Sequence, residues 1–199
     1  FVNRLLAPSE AIGCFNSGIV TWEREGRVLN LDGVVNRGAF AALRRGELLR
    51  YVQDEGVRYL LDNPVQFAPS GVHSNGRHFG AGFRAAQSLE EVARFVFPAG
   101  RDGRRPGMDG FCLYRLRGSS AGVLEHPRAM DLGPAPGGNG RVILWSGRRG
   151  QTLRITNEAV LVADADCVYV LQVPWEGKNE LRLFVDASEE PVLTIAQRW

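Results

Sequence analysis

The residues best placed to do chemistry in this chain are polar side chains that follow two short strand-like runs near its start. Asn16, Ser17 and Gly18 come after Ala11-Ile12-Gly13-Cys14-Phe15, and Asp32, Gly33 and Asn36 come after Arg27-Val28-Leu29-Asn30-Leu31. In a parallel sheet, the loops after neighbouring strands meet at the carboxyl edge, where such sheets bind ligands. Asn16, Ser17, Asp32 and Asn36 would converge there with the N-termini of two helices, whose backbone N–H groups suit a phosphate or a sugar hydroxyl. The same residues also have a plain structural use. Asn16, Ser17 and Asn36 can cap helices while Asp32 satisfies loop amides. The ligand-binding candidates are therefore Asn16, Ser17, Gly18, Asp32, Gly33 and Asn36, with no catalytic residue assigned.

Other motifs are weaker. Gly13 stands four residues before Ser17, so the G-x-S-x-G pattern of a serine nucleophile is absent. Neither G-x-G-x-x-G nor a P-loop follows the first run, and no cofactor is expected. His73, His78 and His126 lack a third ligand at metal spacing, so no metal site is expected either. Cys14, Cys112 and Cys167 are far apart in apolar runs and read as buried core thiols, although a single disulfide remains open. Arg101, Arg104 and Arg105 share a Gly-rich loop with Asp102; it reads as a solvated loop, with phosphate contact as the alternative. Trp145, Trp175 and Trp199 lie in or beside strand-like segments, filling a core or, if exposed, stacking sugars.

The elements that must position these residues alternate at first. Ala11–Phe15, Arg27–Asp32 and Val57–Asp62 read as strands, with a short helix over Gly18–Glu25. A second helix starts at Asn36 as N-cap, places Phe40, Leu43, Leu48 and Val52 on one face, is broken near Gly46 and stops at Gly56. Strands joined by short helical crossovers imply a parallel, Rossmann-like α/β unit. Pro64–Phe83 reads as a long loop, and Ser88-Leu89-Glu90-Glu91 as a capping box opening a helix that Pro98 ends. Further strands are expected over Phe111–Leu116, Val142–Trp145, Thr152–Thr156, Ala159–Ala163, Cys167–Val173, Leu181–Val185 and Val192–Ala196. That spacing suggests a mainly antiparallel, sandwich-like portion. The expected division is an α/β unit over 1–117, a linker or long loop over 118–140 and a β-rich portion over 141–199.

With 199 residues, 44% hydrophobic and 23% charged, the chain has the composition of an ordinary globular protein. A net charge of +2 argues against a nucleic-acid partner. No run approaches the ~18 apolar residues that span a bilayer. Phe1 in place of an initiating Met reads as a piece of a longer polypeptide.

Taken together, Leu6-Ala7-Pro8-Ser9-Glu10-Ala11-Ile12-Gly13, Phe15-Asn16-Ser17-Gly18-Ile19 and Val28-Leu29-Asn30-Leu31-Asp32-Gly33-Val34-Val35-Asn36 resemble a segment of large polytopic glycosyltransferases. These are GT-C type enzymes related to the dolichyl-phosphate-mannose-dependent mannosyltransferases, in many of which a C-terminal domain follows the last membrane helix. The likeness covers about residues 6–63, ending in the strand Tyr59-Leu60-Leu61-Asp62. It implies an extracytoplasmic accessory domain of a membrane protein that transfers sugar from a polyprenyl-phosphate donor. The partners it implies are a glycan or lipid-linked sugar and the transmembrane part of the same polypeptide. The family's catalytic acids lie in loops between its membrane helices, so none is carried over. Two alternatives stand beside it. One is a free-standing sugar- or nucleotide-acting enzyme at the Asn16/Asp32/Asn36 edge, which requires a partly buried Asp32. The other is a carbohydrate-binding module with Trp145 and Trp175 exposed.

Overall fold

A computed structural model describes residues 2–68, 74–96, 110–118, 128–135, 140–156, 158–175 and 180–196. Its helices are α1 (Val2–Leu5), α2 (Ser17–Glu23), α3 (Arg37–Arg45), α4 (Leu48–Asp54) and α5 (Ala85–Ser88). The first strands are β1 (Ile12–Cys14), β2 (Val28–Asn30), β3 (Tyr59–Asp62), β4 (Leu89–Val96) and β5 (Gly110–Leu116). The later ones are β6 (Ala129–Pro134), β7 (Arg141–Gly147), β8 (Thr152–Ile155), β9 (Glu158–Val162), β10 (Cys167–Val173), β11 (Leu181–Val185) and β12 (Leu193–Ile195). They form a mixed eight-stranded sheet, β2-β1-β3-β5-β4-β10-β7-β6, and a separate antiparallel sheet, β12-β11-β8-β9. The expected class, α/β with a β-rich antiparallel portion, is what the chain adopts. Two compact units divide it, Phe1–Val92 with Arg104–Leu124 and Ala93–Gly103 with Glu125–Trp199. Among the described residues, no helix is long and apolar enough to cross a membrane.

In the first unit β1 lies between β2 and β3 and runs parallel to both. Such pairing needs crossovers, and α2 and the α3–α4 pair supply them. β5 then adds antiparallel to β3, with Leu61 opposite Leu113. The core on the α3–α4 side gathers Leu29, Leu31, Ala42, Leu48, Val52, Leu60 and the buried rings of Phe15, Phe67, Phe79 and Phe83. Gly46 ends α3 in the left-handed region at φ 68°, and its N–H returns to the Ala42 and Leu43 carbonyls. That break resets the helical phase. α3 therefore buries Ala39 and Ala42, whereas Phe40, expected on the same inward face as Leu48 and Val52, is half exposed. Buried Arg24 donates to Asn3 Oδ1 at 2.7 Å and to the Ala7 carbonyl at 2.6 Å, tying the N-terminal segment to the end of α2.

The capping-box helix after Ser88 does not form. Ser88 is instead the last residue of α5, and Leu89 begins β4. Val92, Phe95 and Val96 favour a strand, and within it the Arg115 guanidinium of β5 grips both Glu90 oxygens at 2.8 Å. The stretch 118–140, expected as a linker or long loop, contains β6, which pairs with β7. Within the expected long loop, Pro64–Phe67 and Gly76–Phe79 form 3-10 turns.

In the second unit β10 pairs antiparallel with β7 and parallel with Ala93–Val96 of β4. Alternate side chains of β7 and β10, Ile143, Trp145, Tyr169, Leu171 and Val173, share one core with Leu153 of β8 and Leu181, Leu183 and Val185 of β11. Inward alternation from two sheets is sandwich packing.

Candidate functional site

The sheet order β2-β1-β3 puts the topological switch between β1 and β3, because the chain leaves β1 on one side and returns on the other. Asp62, the last residue of β3, stands at that point and is fully buried. Its Oδ2 accepts the backbone N–H groups of Phe15 at 2.9 Å and Asn16 at 3.1 Å, and the Cys14 thiol at 3.6 Å. Oδ1 accepts the Asn16 side-chain amide at 2.8 Å and the Asn63 N–H at 2.8 Å. Just beyond the strands, the buried rings of Phe15 and Phe67 meet at 6.2 Å and that of Phe79 closes the cluster, 6.0 Å from each. At this switch point the Asp62 carboxylate is thus held by donors of the chain itself, and the three phenyl rings belong to the adjoining core.

The residues expected at this edge fall into two sets. Asn16 does not cap α2, because its side chain turns to Asp62 instead. Ser17 Oγ accepts from Asn30 Nδ2 at 2.8 Å, and Gly18 is exposed in the first turn of α2. Asn36 caps α3: its Oδ1 accepts the Ala39 N–H and the Tyr51 hydroxyl at 3.1 Å each, while its Nδ2 donates to the Asn30 carbonyl at 2.8 Å. Asn30 thus links Ser17 to Asn36. Asp32 is exposed, and its Oδ1 accepts the Val34 N–H at 2.7 Å, the loop-amide use that its type suggests. Gly33 sits at φ 78°, where an added Cβ would lie 2.9 Å from the Phe40 backbone, so the Asp-Gly turn needs glycine on both counts.

Removing the Asn36 side chain is expected to cost about 1–2 kcal/mol, the usual value of a cap that also carries other bonds. Asn36→Asp keeps both acceptor bonds but sets a carboxylate oxygen against the Asn30 carbonyl, so it should recover only part of the loss. Urea denaturation of the two variants checks the order.

Asp62 and Asn30 were not singled out among the expected site residues. A single acid closing an apolar strand reads as a turn residue, and only the parallel register shows that it faces the loop after β1. Other candidates resolve simply. The His78 ring contacts the Leu43 carbonyl through Nδ1 at 3.1 Å and accepts from Arg77 at Nε2. Among the described residues no three His, Cys, Asp or Glu side chains are grouped to hold a metal ion. His73, His126, Trp199 and the Arg101/Arg104/Arg105 loop lie outside the described residues. Trp145 is fully buried and Trp175 packs partly buried against the second core, so the exposed Trp145–Trp175 strip of a carbohydrate module is not formed.

All three cysteines are buried and none forms a disulfide. Burial first, and then the adjacent Asp62 carboxylate, push the Cys14 thiol far above its ordinary pKa. Since the thiolate is the reactive form, Cys14 should resist iodoacetamide in the folded protein and react rapidly once urea is added. Peptide mapping after timed alkylation reads this, and fast native labelling of Cys14 would contradict the packing described.

No family model matches the chain, and neither a curated protein nor a solved structure shows significant similarity to it.

Proposed function

We propose that this chain is an accessory domain of a membrane-embedded glycosyltransferase, on the extracytoplasmic face, whose donor is a sugar linked to a polyprenyl phosphate. Its role is to contact the acceptor, the lipid-linked donor or the transmembrane part of the same polypeptide, while the bond-making groups lie elsewhere. The sequence support is the block Asn30-Leu31-Asp32-Gly33-Val34-Val35-Asn36 with its preceding Phe15-Asn16-Ser17-Gly18. The structural observation that favours a non-catalytic role is the switch point, where the buried Asp62 carboxylate is held by donors of the chain itself. Asp32, which a free-standing enzyme at this edge would need partly buried, is exposed and bonded within its own turn.

The test compares three proteins in a transfer assay with labelled polyprenyl-phosphate sugar: the full polypeptide, the same polypeptide lacking residues 1–199, and the 199-residue chain alone. Transfer should be seen with the first, be reduced or lost in the second, and be absent from the third. Turnover of a sugar or nucleotide substrate by the chain alone, abolished by Asp32→Asn with folding intact, would establish the enzyme reading instead.

A further inference from the structure

We infer that the segments after β1 and β2 form a membrane-docking surface, with Ile19, Trp22, Val34 and Val35 entering the interface of an anionic bilayer and Arg37 and Arg44 meeting its headgroups. Large hydrophobic side chains left in water are concentrated here. Ile19 is 81% exposed, Trp22 88%, Val34 83% and Val35 82%, and Phe40 beside them is 51% exposed. Scattered single apolar residues need no explanation, but a cluster on one edge marks an interaction surface. The fold does not use these side chains. α2, which carries Ile19 and Trp22, buries none of its residues, and Val34 and Val35 lie in the turn between Asp32 and the Asn36 cap.

The two segments share a base. Asn30 donates to Ser17 at the start of α2, Asn36 donates back to Asn30, and Gly33 backs directly onto Phe40. This framework fixes the two segments next to one another at the edge of the sheet. Side chains more than four-fifths exposed stand out from a surface; they do not line a groove. A protein partner would need matching pits to receive them, whereas the fluid headgroup region accepts protruding apolar groups without a preformed complement. Tryptophan with aliphatic neighbours is the composition that partitions into that region.

Charge points the same way. Arg37 and Arg44 are exposed, and among the described residues neither is paired with a carboxylate; the Arg44 guanidinium lies 6.0 Å over the Phe40 ring. Each such arginine near an anionic surface adds attraction. Arg45 is engaged by Glu47. Exposed Glu23, Glu25 and Asp32 belong to the same segments, so apolar insertion carries most of the binding and charge a smaller part. This inference goes beyond the glycosyltransferase reading and rests on exposure, so the transfer assay and the membrane assay can fail separately.

The experiment sediments the 199-residue chain with vesicles of phosphatidylcholine alone or mixed with phosphatidylglycerol, and follows tryptophan emission with brominated lipid. The chain should sediment, more so with the anionic vesicles, and bromine should quench emission. Ile19→Ser/Trp22→Ser/Val35→Ser should weaken partitioning at least about tenfold. Trp22→Phe should lose most of the quenching while still sedimenting, and Arg37→Gln/Arg44→Gln should weaken binding only to the anionic vesicles. Melting temperatures should not move, because none of these side chains is in the core. Failure to sediment with either vesicle, equal sedimentation of the triple variant, or self-association in ultracentrifugation that the triple variant abolishes would each overturn the inference, the last by identifying a second copy as the occupant.

Discussion

Asp62→Ala should lower folding stability by about 3–5 kcal/mol, because it leaves several buried or part-buried donors with no acceptor at once. The N–H groups of Phe15, Asn16 and Asn63 and the side-chain amide of Asn16 all end on this carboxylate. Asp62→Asn is the sharper variant. It keeps the shape of the side chain but turns one oxygen into an NH2 group, and both oxygens face donors. Whichever way the amide is oriented, a donor meets a donor, so a loss of about 2–3 kcal/mol is expected despite the near-identical volume. Urea titration followed by circular dichroism measures both. A loss below about 1 kcal/mol for Asp62→Ala would show that this cluster does not hold the loop after β1.

Trp145→Ala should cost a similar amount, about 3–5 kcal/mol, by opening a cavity in the core of the second unit. Trp145 is fully buried, its ring 5.2 Å from that of Tyr169, and its neighbours Ile143, Leu153 and Leu183 belong to the same packed set. Among the described residues, its indole N–H is also buried without a hydrogen-bond partner. Trp145→Phe removes that unsatisfied donor while keeping most of the ring, so the two effects oppose one another and the net loss should stay below about 2 kcal/mol. Thermal unfolding of both variants separates cavity from polarity. Equal losses would mean that the N–H is satisfied in solution.

How much of this was legible in the sequence depended on whether the deciding contacts were local. The short runs around Ile12, Leu29 and Leu60 read as strands because each is bounded by turn residues, and the α3–α4 break reads from Gly46 alone. Asn36 as a cap and Asp32 as a binder of loop amides were equally local, fixed by partners within three residues. β4 was misread for the opposite reason. Its Ser-x-x-Glu start satisfies a helix signature nearby, but its partner Cys167–Val173 lies far along the chain. β6 escaped notice because Ala129–Pro134 holds glycine and proline and depends on β7 for its extended form. At the edge itself, the role of Asp62 needed the register of β3 against β1, which no window of sequence contains. The exposed state of Trp22 is likewise invisible until α2 is seen to bury nothing.

The central claim, that this domain works as part of a membrane-embedded transferase, is tested most directly by finding the polypeptide that carries it in the cell. An antibody raised against the 199-residue chain, used on carbonate-washed membranes and on the soluble fraction, reads both size and location. The account predicts a band much larger than this chain, resistant to carbonate, whose flanking sequence holds several apolar segments of about 20 residues. A band of the chain's own size, found only in the soluble fraction, would contradict it.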